Sequence, residues 1–145
     1  MSQARLRALV FLVFGTLVAA GCGSDNPTTP TTTEDVRNSE TFGATLNRGQ
    51  SQFYSFTTVS PGTTDITLVS VRPTGSVAVT LNPVVGLGLG TPQGTDCALS
   101  NATNTPPGLK NQLSVATNVS TYCVKIADIG NLTAAVDYTI RVVHP

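Results

Sequence analysis

From Thr41 onward, apolar side chains recur at every second position in short runs, and turn-forming residues separate the runs. That two-residue period belongs to half-buried strands, and no window carries apolar residues at helical spacing. The chain must therefore bury its apolar surface between sheets. Strands are expected at Phe42–Leu46, Gln52–Thr58, Asp65–Val71, Ser76–Leu81, Val85–Gly90, Asp96–Ser100, Gln112–Thr117, Thr121–Ala127 and Val136–Val142. The alternation Val77, Val79, Leu81 marks one of them; Tyr122, Val124, Ile126 and Val136, Tyr138, Ile140, Val142 mark the last two. Ser60-Pro-Gly-Thr63 is a turn, because proline fixes φ and glycine accepts φ > 0. Residues 91–111 read as turn-rich, interrupted only by the strand near Asp96–Ser100. About eight short strands with frequent turns predict an all-β fold, a single antiparallel β-sandwich or jelly roll over 41–145.

In Val85-Gly-Leu-Gly-Leu-Gly90 the leucines share one face and glycines occupy the other. Glycine there weakens a strand unless something packs close to it or the strand bends.

The N-terminal part is chemically different. Arg5 and Arg7 precede residues 8–20, a run of thirteen without a charge. A bilayer-spanning helix needs about 20 apolar residues. A basic stretch, a short apolar run and small residues at its end make an export signal, here residues 1–21. Ala19-Ala20-Gly21-Cys22 resembles the bacterial lipobox, in which small residues enter a narrow peptidase site and the thiol takes lipid. Ala19 departs from the commoner leucine. The resemblance implies cleavage before Cys22, lipidation of Cys22 and a bacterial lipoprotein of the cell envelope. Gly23, where an aspartate would mark inner-membrane retention, implies the outer membrane, with the protein facing the periplasm or the surface. Stable anchoring takes more than one acyl chain. Residues 23–40 hold one large apolar side chain, Val36, among Thr, Pro, Asn, Ser and acids. They read as a flexible linker, 22–40 with its lipidated cysteine.

After cleavage six bases face eight acids, a formal charge of −2. No basic stripe runs along the chain, which argues against a nucleic-acid partner. With Cys22 assigned to lipid, Cys97 and Cys123 remain. Both fall in expected strands of an exported domain, and an even pair outside the cytoplasm reads as a disulfide. Closing that loop would stabilise by roughly 3–4 kcal/mol in the chain-entropy model. Cys123 is out of phase with Tyr122 and Val124, so the bridge is expected on a sheet face or edge.

Thr41-Phe-Gly-Ala-Thr-Leu-Asn-Arg-Gly-Gln-Ser-Gln-Phe-Tyr-Ser-Phe56 resembles the opening of bacterial pre-peptidase C-terminal (PPC) domains. Ser120-Thr-Tyr-Cys-Val-Lys-Ile126 and Asp137-Tyr-Thr-Ile-Arg-Val142 resemble later strands of that family. The resemblance covers about residues 40–143 and implies a jelly-roll β-sandwich acting as a non-catalytic module. No enzyme domain is attached here, and no acidic cluster matches a calcium site, so calcium does not carry over.

The inventory argues against an enzyme. His144, the single histidine, has no fixed place in a strand pattern, so a Ser-His-Asp arrangement lacks its base. Asp128 and Asp137 are the one candidate carboxylate pair; the simpler reading has Asp128 capping a turn and Asp137 facing solvent. Gly86–Gly90 is followed by no helix, so no phosphate cradle or cofactor site is expected. No metal site is expected either, since no close cysteine pair exists. The mature chain has no tryptophan, and most aromatics fall on the inward phase. Phe53 is the exception. The expected function is a lipid-anchored, non-enzymatic envelope module that binds a macromolecule, polymer or protein, with Phe53 and the 101–111 segment as first contacts. The alternative is a structural envelope protein or a docking subunit of an exported complex.

Overall fold

The computed structural model describes residues 36–145 except 77, 78 and 80. The expected signal peptide, Cys22 and linker residues 22–35 lie outside the described residues.

Eight strands are present: β1 (Asn38–Leu46), β2 (Ser51–Thr58), β3 (Gly62–Pro73), β4 (Val85–Gln93), β5 (Asp96–Thr105), β6 (Leu113–Thr117), β7 (Ser120–Ala127) and β8 (Val136–His144). They form two antiparallel four-stranded sheets with the orders β1-β8-β3-β6 and β2-β7-β4-β5. The first strand pairs with the last, the second with the seventh, the third with the sixth and the fourth with the fifth. This nested pairing is a long double-stranded ribbon rolled into two layers, the jelly-roll arrangement. Two further pairings, β3 with β8 and β4 with β7, complete each sheet.

The inward phase of each strand makes one core between the layers. Ile66, Leu68, Ile140 and Val142 from one sheet meet Leu87, Leu89, Val124 and Ile126 from the other, all buried. Phe42 of β1 stacks on Tyr54 of β2 with ring centroids 4.8 Å apart. Interlayer polar atoms are satisfied internally. The Tyr138 hydroxyl lies 2.9 Å from the Tyr54 hydroxyl and donates to Gln52 Oε1 at 3.0 Å, while Gln52 Nε2 donates to the Thr45 carbonyl. Burial, and then the Tyr54 hydroxyl, push the Tyr138 phenol far above its ordinary range.

Several sequence expectations need correction. Asn38–Glu40, expected in the linker, open β1, and Thr91–Gln93, expected as turns, complete β4. Ser76, Val79 and Leu81 are not in a strand; they belong to the connection from β3 to β4. Leu81 still packs on the core, its N–H bonded to the Val71 carbonyl at 2.7 Å, whereas Val79 is exposed. Residues 101–105, expected as turns, continue β5, because Asn101–Thr105 pair with Leu89–Val85. Loop-forming residue types were overruled there by a long hairpin partner. His144, expected to have no fixed place, ends β8 with 2% exposure, opposite Asn38.

One end of the sandwich gathers the start of β1, the β2–β3, β4–β5 and β6–β7 turns and Pro145. The other gathers the β1–β2 turn and the β3–β4 and β7–β8 connections.

Candidate functional site

The outer face of the β2-β7-β4-β5 sheet has an unusual floor. The leucines of β4 point into the core, so Gly86, Gly88 and Gly90 line the outside. Bare backbone lets neighbours come close. A β-carbon on Gly88 would lie 2.8 Å from both terminal methyls of Leu99, and one on Gly86 would lie 3.2 Å from a methyl of Ile129. At Gly90 the Ala98 carbonyl leaves no room for a side chain. The cause is a bulge. Leu89 pairs with Asn101 but Gly90 with Leu99, so Ser100 is extra in β5. The Ser100 hydroxyl donates to the Leu89 carbonyl at 3.2 Å.

Leu99 and Ile129 thus form two walls over a glycine floor. The resulting open groove, about 220 Å³, is completed by Ala102, Thr103, Asn104, Ala127 and the stem of Lys125. Its surface is almost wholly apolar. The walls are themselves 46% (Leu99) and 43% (Ile129) exposed, so neither is a core residue. Phe53 lies on the same face: it stands opposite Lys125, which stands opposite Gly88. One row across three strands therefore runs Phe53, Lys125, Gly88.

The Lys125 ammonium is 2.7 Å from Asp96 Oδ1. That bond, with the Cys97 N–H, holds the Asp96 carboxyl below its usual value. Next to this pair, Cys97 and Cys123 form the disulfide, with Cα atoms 5.9 Å apart. Cys123 stands opposite Gly90 on the outer side of the core, as its phase implied. The bridge therefore ties the tip of the β4–β5 hairpin to β7 where ladder pairing between β4 and β7 ends.

The other singled-out residues serve structure. Asp128 Oδ1 accepts the N–H groups of Gly130, Asn131 and Leu132, and Oδ2 accepts that of Gly49 in the β1–β2 turn. The Gly49 bond, the largest influence, and the three loop bonds keep its carboxyl ionised below the ordinary range. Gly49 has φ 69°, which explains glycine there. Asp137 does not simply face solvent: it accepts Thr45 Oγ1 at 2.6 Å and the Gly75 N–H at 3.0 Å. His144 Nε2 is 2.9 Å from Glu40 Oε1. The structure thus separates Asp128 from Asp137 and gives each its own task.

Residues 106–112 are not a free loop. Gly108 and Gln112 donate to the Leu68 and Ile66 carbonyls, and Gln112 Oε1 accepts the Leu68 N–H at 2.7 Å. The segment lies along β3 beyond the start of β6 and shields that edge; of its large apolar side chains, Leu109 stands well clear. A second hollow, about 250 Å³, sits between the β3–β4 and β7–β8 connections, lined by Leu81, Pro83, Asn131 and Ala134 among others. Asn131 spends its side-chain N–H on the Val84 carbonyl. Among the described residues no group of three or more His, Cys, Asp or Glu could hold a metal.

No protein-family model matches this chain, and no curated protein matches it.

Proposed function

We propose that the chain is a lipid-anchored, non-enzymatic module of the bacterial envelope that binds a macromolecule through the outer face of its β2-β7-β4-β5 sheet. Lipid on Cys22 holds it to the outer membrane, and the PPC-like sandwich displays the binding face. The observation that carries this reading is the apolar groove over Gly86 and Gly88, with Phe53 in the adjoining row. Exposed apolar side chains around a concave floor bind; they do not stabilise the fold. The use of Asp128, Asp137 and His144 as structural acceptors and core supports a module without catalysis.

The test uses residues 34–145, which form a compact unit with its own core and disulfide. The domain is made in an oxidising compartment and sedimented with peptidoglycan, insoluble polysaccharides, collagen and the organism's envelope fragments, with and without calcium. Saturable binding to one of these is expected. Gly88→Ala fills the floor, displacing the flexible end of Leu99 while the Asn101 carbonyl, 3.2 Å away, yields slightly. It should weaken binding about tenfold, ~1.4 kcal/mol, with little loss of stability. Absence of binding, or binding indifferent to Gly88→Ala, would move the assignment to a structural protein or docking subunit.

A further inference from the structure

We propose that the end of the sandwich carrying Val59 and Val119 rests on the lipid surface to which the chain is anchored. The proposal rests on lipidation of Cys22.

Three exposed valines gather at this end. Val36 is 78% exposed, Val59 70% and Val119 62%. Their backbones are linked. The Val59 N–H donates to a main-chain oxygen of Pro145 at 3.3 Å, and Asn38, two residues after Val36, stands opposite His144. Thr58 Oγ1 accepts the Ser120 N–H at 3.2 Å and lies against the Asn118 carbonyl, which sets the two valine turns side by side. Val59 and Val119 project from turns that the fold fixes, and Val36 lies two residues before the start of β1.

The charge pattern suits an interface with lipid. No residue from Phe56 to Thr64, or from Thr117 to Tyr122, is charged. Among the described residues, the ionisable side chains nearest this end are paired: Arg37 lies 2.8 Å from Asp65, His144 2.9 Å from Glu40, and Asp96, at the β4–β5 tip that reaches the same end, 2.7 Å from Lys125. Arg37 also donates to the Thr63 and Val143 carbonyls, which leaves its guanidinium directed along the sheet. Thr57, Ser60, Asn118, Ser120 and Thr121 surround the valines with neutral polar groups suited to lipid headgroups.

The position of the anchor selects the occupant. The chain enters the domain at this end, at Val36, 14 residues after Cys22. That stretch spans at most about 50 Å, so the lipid confines the domain near the bilayer. Once confined, even a small apolar patch is presented at high effective concentration. Valines at turn tips then enter the headgroup region, a depth of about 5–10 Å for interfacial apolar groups. In this pose the groove beside Ile129, in the β7–β8 connection, is lifted towards the opposite side.

The chain has no tryptophan, so one introduced residue reports alone. The full-length lipoprotein carrying Val59→Trp or Val119→Trp is purified with its lipid and reconstituted into phosphatidylethanolamine–phosphatidylglycerol vesicles containing brominated lipid. Leu109→Trp, on the flank beside β3, is the control. Intact mass first verifies lipid on Cys22. Blue-shifted emission and at least a halving of intensity by brominated lipid are expected for V59W and V119W, with neither for L109W. Water-like emission in all three on a lipidated protein would overturn the orientation and leave the anchored-module reading standing. A mass without lipid would overturn both.

Discussion

Gly90 shows how one position can decide a local fold. Its strand neighbours suggest an ordinary outward-facing residue, yet the bulge at Ser100 drives the Ala98 carbonyl into the space of a side chain. Gly90→Ala should therefore cost about 3 kcal/mol or more, since backbone rather than a flexible side chain must move. At Gly86 a β-carbon would meet the γ2-methyl of Ile129 at 3.2 Å, with Ala127 at ordinary contact distance, so Gly86→Ala should cost less than about 1 kcal/mol. Urea unfolding of both variants checks this; equal losses would show that strand preference, not the carbonyl, sets the requirement. The sequence indicated that something packs close to these glycines or that the strand bends there. It did not indicate what, because Leu99 and Ile129 come from elements whose placement depends on the bulge and on the Asp128 loop. Phe53 was legible as an outward aromatic from phase alone. His144 was not: a histidine next to the chain end gives no signal that β8 will carry it inward to meet Glu40.

The strands themselves were largely legible, because alternation reports burial on one side. β7 and β8 follow their expected bounds within two residues at either end. Alternation failed at Val79 and Leu81, which lie in the connection from β3 to β4, where Leu81 anchors on the core. It also failed at Asn101–Thr105, whose composition favours turns while pairing with β4 holds them extended. Partner choice was beyond reach, since a periodic strand does not state which other strand it joins. The β4–β5 hairpin shows the consequence. It is attached along β7 only from Gly86 to Gly90, and the disulfide takes over beyond that point. Cys97→Ala/Cys123→Ala should lose about 3 kcal/mol for a separation of 26 residues. The loss should come with faster amide exchange in the hairpin tip than in β8, measured by hydrogen exchange. Uniform loosening of all eight strands would contradict the local role given to the bridge.

For the whole molecule, ionised carboxylates act as fasteners between connections. Asp128 joins two turns, Asp137 joins β1 to the β3–β4 connection, and Asp96 holds Lys125. At Asp65 burial opposes ionisation, but Ser114 and Arg37 outweigh it. All four are held below the ordinary aspartate value of 3.8 in the folded state. Unfolding restores that value, so the unfolded chain takes up protons first. Their stabilisation is complete above the ordinary carboxyl range and fades as pH falls through the folded values. Thermal midpoints measured between about pH 2 and 7 should be level near neutrality and drop in acid. The drop should be shallower, from a lower plateau, in Asp128→Asn/Asp137→Asn. The nested pairing has a mechanical side as well. Tension entering at Val36 runs along β1, whose nine residues all stand opposite β8. If the groove side is held, that pull slides one strand past another and loads every rung of the ladder together. Arg37 adds three contacts across Thr63, Val143 and Asp65 at the point where the pull arrives. A ribbon rolled with its first and last strands adjacent is thus loaded in shear, where a ladder is strong, rather than peeled open rung by rung.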